Sequence, residues 1–264
     1  MPLQSPAMAS LLSTLRRSYG IARSTLVYRG DPLKRRRARA FYRQFIQPGD
    51  LCFDIGAHLG DRLAHFLSLG ARVVAVEPQP RLMAGLKRRF GGDDRVILVS
   101  AALGAAPGTA KLAIDPAHPT VATLSPDYIA QAGASRGFRH VRWREEVDVE
   151  VTTLDALIAA HGVPAFCKID VEGYEHAVLE GLSQPLPRLS LEYLPAALDP
   201  ALIAIARLNR LGSYRFNRSV GESMALANPR WLGAAEIGAE LKRLPRDEKA
   251  GDIYAFLDDA SVNR

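Results

Sequence analysis

Asp50-Leu51-Cys52-Phe53-Asp54-Ile55-Gly56-Ala57-His58-Leu59-Gly60-Asp61, with Arg72-Val73-Val74-Ala75-Val76-Glu77-Pro78 a little further on, decides the fold of this 264-residue chain. A short apolar run ends in Asp54 and a glycine turn follows. A helical pattern over 63–69 closes at Gly70, and a β-branched run ends in Glu77. Strand, glycine turn, helix, and strand with a terminal carboxylate make the first half of a nucleotide-binding βαβ unit. Gly56 and Gly60 are expected to let the backbone turn sharply and approach a ligand. Glu77 stands 23 residues after Asp54, where a carboxylate can accept both hydroxyls of a ribose.

The departure from the dinucleotide fingerprint narrows the ligand. A pyrophosphate site wants G-x-G-x-x-G with a helix N-terminus facing the phosphates. Here the first position is Asp54, giving D-x-G-x-x-x-G. A carboxylate there repels pyrophosphate and suits a cationic nucleoside. S-adenosyl-L-methionine, with an ammonium, a sulfonium and a free ribose, meets that description. A dehydrogenase is the reading this substitution disfavours most.

Outward from this unit, strand and helix patterns alternate. A second helix is predicted over 80–90, stopped by Gly91-Gly92, and a third strand over 95–100. Strands over 110–114 and 147–151 flank a polar, aromatic loop at 115–146, a candidate for acceptor selection through Thr120 and Thr123. Further elements are predicted as a helix over 153–160 capped by Thr152 or Thr153, a strand over 165–171 and a helix over 174–182. A strand over 188–193, a helix over 200–211 and strands over 214–217 and 252–257 follow, the last returning antiparallel. The pattern argues for an α/β fold, a doubly wound, mostly parallel sheet with a ligand at the carboxyl ends of the strands.

Charge divides the chain in two. Residues 1–47 carry ten Lys and Arg against Asp31, a net +9, whereas the remainder is −3 and the whole chain +6. We therefore expect a basic helical arm over 1–47 and a ligand-binding domain over 48–264. Packing of the arm on the core by Leu11, Leu12, Leu15, Phe41 and Phe45 is one reading. Contact with an anionic membrane or with nucleic acid is another. Cys52 and Cys167 sit in apolar strands, as buried thiols of a reducing compartment do, close together if their strands are neighbours. No Cys/His metal spacing occurs, and no run of about 18 apolar residues suggests a membrane span. The arginine-rich start also resembles an organellar transit segment, but cytoplasmic is the default.

A second informative run is Lys168-Ile169-Asp170-Val171-Glu172-Gly173-Tyr174-Glu175. Strand alternation would put Lys168, Asp170 and Glu172 on one face. Three ionisable groups there are costly to bury, so an open strand end beside the ligand crevice is their expected place. Glu192 ends the next strand in the same way. Asp170 is the first candidate for the base that takes a proton from an acceptor hydroxyl, or for the group that orients it, and Glu172 the second, with Lys168 beside them. A Lys168–carboxylate ion pair without a catalytic role, and a divalent cation on the carboxylates, are the alternatives.

These pieces in order resemble the FkbM-type methyltransferases. The resemblance rests on D-I-G-A-H-L-G-D at 54–61, V-E-P at 76–78, T-L-D at 153–155, K-I-D-V-E-G-Y-E at 168–175, V-L-E-G at 178–181, and Glu192. It implies a class I methyltransferase (Rossmann-like) fold, S-adenosyl-L-methionine as donor, and O-methylation of a sugar, glycan or other small acceptor. Asp54, Gly56, Ala57, His58, Gly60, Glu77, Pro78, Ser100 and Ala101 are the expected cofactor contacts. Glu192, Thr120 and Thr123 are the expected acceptor contacts, and no resident metal is expected. The alternatives are an RNA-directed methyltransferase, disfavoured by the absence of a D-P-P-Y or N-P-P-Y run, and a non-catalytic scaffold that keeps the fold.

Overall fold

The structure is a computed structural model that describes residues 32–133 and 138–258. The arm's Leu11, Leu12 and Leu15 and the loop residue Arg136 lie outside the described residues. Helix α1 (Pro32–Tyr42) leads into β1 (Leu51–Ile55), α2 (Asp61–Ser68), β2 (Arg72–Val76), α3 (Pro80–Phe90) and β3 (Val96–Val99). After an insertion come α5 (Leu154–His161), β7 (Phe166–Ile169), α6 (Glu175–Glu180) and β8 (Arg188–Tyr193). The chain ends in α7 (Asp199–Leu211), β9 (Tyr214–Arg218), α8 (Ala234–Leu241) and β10 (Gly251–Leu257). The insertion itself holds β4 (Ala102–Leu103), β5 (Gly108–Ile114), a 3₁₀ turn (Pro119–Val121), α4 (Pro126–Gly133) and β6 (Glu145–Thr152).

Seven strands form one sheet in the order β3-β2-β1-β7-β8-β10-β9, and β4-β6-β5 form a small second sheet. The pairs among β3, β2, β1, β7 and β8 are parallel, while β10 lies antiparallel between β8 and β9. From β1 the chain winds outward through β2 to β3, then returns to the other side of β1 at β7. That reversal opens a crevice at the strand ends, where open α/β sheets bind ligands.

Alternation along the strands feeds two cores. Cys52, Val73, Ala75 and Phe166 meet α1, α2 and α3 through Tyr42, Phe66 and Leu86. Phe53, Ile55, Val74, Cys167 and Ile169 meet α5 to α8 through Leu157, Val178, Ile205 and Ile237. The two cysteines are free and buried on neighbouring strands, but the pairing Phe53↔Cys167 puts their thiols on opposite faces. The described end of the arm is part of the fold: Phe41, Tyr42 and Phe45 interlock with Phe66, Phe166 and Tyr254.

Three local expectations change. The loop over 115–146 contains α4, started by Ser125, whose hydroxyl accepts from Tyr128 N, and by Pro126 in the first turn. Helix α8, which the sequence pattern did not suggest, is entered through Gly233, whose N–H donates to Glu236 of the first turn. Strand β7 stops at Ile169, so strand alternation does not place Asp170 and Glu172. A turn does, with Glu172 and Gly173 both left-handed at φ 56° and 85°.

Candidate functional site

The crevice has two adjoining parts. One is an apolar slot lined by Val76, Pro78, Ala101, Leu103, Leu112 and Leu124, with Glu77 and Gln79 at its wall. The other is a carboxylate-rich cavity of about 180 Å³ lined by Asp54, Asp170, Glu172, Glu192, Lys168 and Arg62 among others. Gly56, His58, Thr120, Asp170 and Glu172 border both.

Glu77 projects from the end of β2 and is almost fully buried. Its Oε2 accepts from His58 N and its Oε1 from Gln79 N, each at 2.9 Å. Burial pushes its pKa up to about 7, partly opposed by those N–H groups. Each carboxylate oxygen keeps a second lone pair for a further donor. Asp54 is equally buried, and burial raises its pKa to about 6 despite the nearby Lys168 and Arg62 charges. Its Oδ2 has no hydrogen-bond partner among the described residues. A buried carboxylate oxygen beside a cavity, left without a donor, fits a ligand that brings one. His58 stays neutral at physiological pH because burial lowers its pKa to about 4.

The glycines serve the chain more than the ligand. A Cβ on Gly56 (φ 81°) would stand 1.9 Å from the Asp170 carbonyl oxygen. The β1 turn can therefore cross the end of β7 only as glycine. A Cβ on Gly60 would strike Phe90 and Leu86, so Gly60 answers to packing of α2 on α3, and the expectation that it makes room for ligand is revised.

Register sets a polar row across one face of the sheet: Asp54 pairs with Lys168, Lys168 with Ser190, and Ser190 with Tyr254. Lys168 is buried, and its Nζ lies 2.9 Å from Asp252 Oδ1 and 3.1 Å from Asp170 Oδ2. Both carboxylates hold the ammonium charged against burial. Burial would raise Asp170, but the Lys168 charge outweighs it and keeps Asp170 below the ordinary carboxylate range.

Glu172 and Glu192 behave oppositely. Burial first, and then the charge of Asp170 for Glu172 and of Glu172 for Glu192, push both pKa values well up. One oxygen from each of Asp170, Glu172 and Glu192 lies within 4.8 Å of the others. The insertion holds this cluster: Tyr128 OH donates to Glu172 Oε2, and Thr123 Oγ1 donates to the Glu172 carbonyl at 2.7 Å. Glu175 closes the turn by accepting from Val171 N and Gly173 N.

The expected site residues thus separate into groups. Asp54, Gly56, Ala57, His58, Glu77, Pro78, Ala101, Thr120, Lys168, Asp170, Glu172 and Glu192 border the crevice. Ser100 is exposed beyond the slot, because β3 ends at Val99 and the chain turns inward only at Ala101. Thr123 is buried, and its hydroxyl is occupied by Glu172 O and Ser125 N, so it supports the turn and does not face an acceptor. Asp252 and Arg62 escaped the sequence reading, while Tyr128 fell only within the candidate loop and Glu175 only within the Lys168–Glu175 run, with no role given to either. An acid inside an otherwise apolar final strand was the signal for Asp252, and the Ser125-Pro126 helix start was the signal for Tyr128.

The sheet order, with its antiparallel strand next to the edge, and the carboxylate-tipped β2 define a class I methyltransferase fold. Residues 54–201 match the Methyltransferase FkbM domain, more than half of the sequence. The chain belongs to the FkbM methyltransferase family, and its cofactor is S-adenosyl-L-methionine.

Among solved structures it is similar to a methyltransferase FkbM from Methylobacillus flagellatus KT, with 16% identity and a TM-score of 0.48. That match covers 83% of this chain and 50% of the other, so this chain spans half the length of that protein. It is also similar to a precorrin-6y C5,15-methyltransferase from Geobacter metallireducens, with 13% identity, 84% and 86% coverage and a TM-score of 0.43. An O-methyltransferase from Bacillus cereus matches with 13% identity, 93% and 90% coverage and a TM-score of 0.43. No curated protein sequence matches the chain.

Proposed function

We propose that this protein O-methylates a hydroxyl of a sugar, glycan or other small polyhydroxylated acceptor. The observation that carries the reading is the convergence of Asp170, Glu172 and Glu192 at the cavity that adjoins the Glu77 slot and shares lining residues with it. The apolar slot suits a nucleobase, Glu77 its ribose, and the unpartnered oxygen of Asp54 an ammonium. When bound, the cofactor supplies an electrophilic methyl group on a sulfonium.

The chain's own task is alignment and proton management. Asp170, kept ionised by Lys168, accepts a hydrogen bond from the acceptor hydroxyl and orients it. Alignment of this kind contributes up to roughly 7–11 kcal/mol. Glu172 lies next to it with a raised pKa, and it can take the proton only once it is ionised. A positive ligand charge in the cavity would bring that carboxyl toward ionisation.

The test begins with calorimetric titration of S-adenosylhomocysteine, for which one-to-one micromolar binding is expected. Radiolabelled methyl transfer to a panel of hydroxylated acceptors follows. A base-stable ether product, lost in Asp170→Asn and Glu172→Gln, supports the reading. A product methylated on nitrogen or carbon, or full turnover in both variants, would sink it.

A further inference from the structure

Helix α1 has two sharply different sides. Ala38, Phe41 and Tyr42 are buried against α2 and the sheet, whereas Arg35, Arg36, Arg37 and Arg39 are exposed, as is Arg43 just after the helix. Leu33, Arg36, Arg39 and Arg43 recur at spacings of three, three and four, which puts them along the outer side. Leu33 keeps 65% of its surface exposed on that side. No carboxylate occurs between Pro32 and Gln47, and among the described residues none of these five guanidinium groups is in an ion pair.

We propose that the outer face of α1 docks the protein on the surface of a bilayer carrying anionic headgroups. Five arginines close to one another, with an apolar side chain among them, match such a surface in charge and in its shallow apolar layer. A single-stranded nucleic acid is the poorer fit. It asks for exposed rings on which bases stack, and Phe41, Tyr42 and Phe45 all point inward. The carboxylates of the crevice would be repelled by the same surface, so approach by the arginine face is favoured over approach by the cleft. This inference does not depend on the nature of the methyl acceptor.

The full chain is tested by co-sedimentation with vesicles of phosphatidylcholine alone and of phosphatidylcholine with 30% phosphatidylglycerol, at low and high salt. Each arginine near an anionic surface is worth roughly fivefold in partitioning. The triple variant Arg36→Gln/Arg39→Gln/Arg43→Gln should therefore bind the anionic vesicles roughly a hundredfold more weakly. It should keep the wild-type melting temperature and S-adenosylhomocysteine affinity, since these side chains touch neither core nor cleft. Wild-type binding should be absent on phosphatidylcholine alone and fall steeply with salt. Unchanged binding in the triple variant would overturn the proposal and assign attraction to residues before the helix. Equal binding to neutral vesicles, or displacement from anionic vesicles by a short RNA at lower concentration than by soluble lipid headgroup, would overturn it too.

Discussion

Glu77 offers a quantitative test of the cleft, because its burial has a stability consequence that depends on pH. Its pKa rises from the ordinary 4.5 to about 7 in the folded protein, with burial as the leading cause. A carboxyl raised on folding favours the native state while protonated. Its contribution is present below 4.5 and is lost as pH climbs through 7. The full rise corresponds to about 3 kcal/mol, of which roughly 2.5 kcal/mol falls between pH 5 and pH 8.

Other groups oppose this trend. His58 and His65, both lowered to about 4 by burial, gain stability over the same interval, so the wild-type slope alone is uninformative. The comparison that isolates Glu77 is with Glu77→Gln, which keeps an oxygen acceptor for one of the two N–H groups but cannot ionise. Urea denaturation at pH 5 and pH 8 should show the variant gaining on wild type by about 2.5 kcal/mol at the higher pH. That is about 1 M in midpoint for a slope of about 2 kcal/mol per M. Parallel pH dependences in the two proteins would refute the claim that this carboxyl is held out of water by the fold.

Asp54→Asn should move two readouts in opposite directions. Apo stability above pH 6 should rise by about 2–3 kcal/mol, because the pKa raised to about 6 no longer matters. S-adenosylhomocysteine should meanwhile bind roughly 10–100-fold more weakly for want of the ammonium's partner; gain or loss in both measurements together would contradict the assignment. Gly56→Ala should cost more than about 3 kcal/mol in urea denaturation, since its Cβ meets the Asp170 carbonyl and the backbone is left-handed. A melting temperature within two degrees of wild type would mean the β1 turn has room that the geometry denies. Lys168→Met should destabilise by about 3–5 kcal/mol by leaving Asp252 and Asp170 without their shared cation. Adding Asp252→Leu should recover part of that loss, and calorimetric melting of the single and double variants measures both.

The framework was legible because period and punctuation agree. Val73, Val74, Ala75 and Val76 run unbroken as a strand covered on both faces must, and Glu77 and Asp54 mark the strand tips. The FkbM resemblance ran along the same residues that later matched the family. The supporting shell was much less legible. Strand alternation put Lys168, Asp170 and Glu172 on one face, yet Glu172 reaches the cluster through a left-handed turn that no pattern of polarity announces. Asp252 and Tyr128 act on residues far away in sequence; the antiparallel return of β10 was expected, but its place between β8 and β9, which brings Asp252 in, is a property of the sheet, not of its strand. Thr123 illustrates the reverse. A hydroxyl in a polar loop suggested acceptor binding, but the fold uses it to tie down a carbonyl.

The ion pair between Lys168 and Asp252 spans 84 residues and joins the centre of the sheet to its last strand. As the chain leaves the ribosome, the nucleoside slot and the Asp170 turn are all translated well before residue 252. Until that strand threads between β8 and β9, Lys168 has Asp170 but lacks Asp252, the second of its two carboxylate partners. The charge balance at the centre of the sheet is therefore completed by its last strand in chain order.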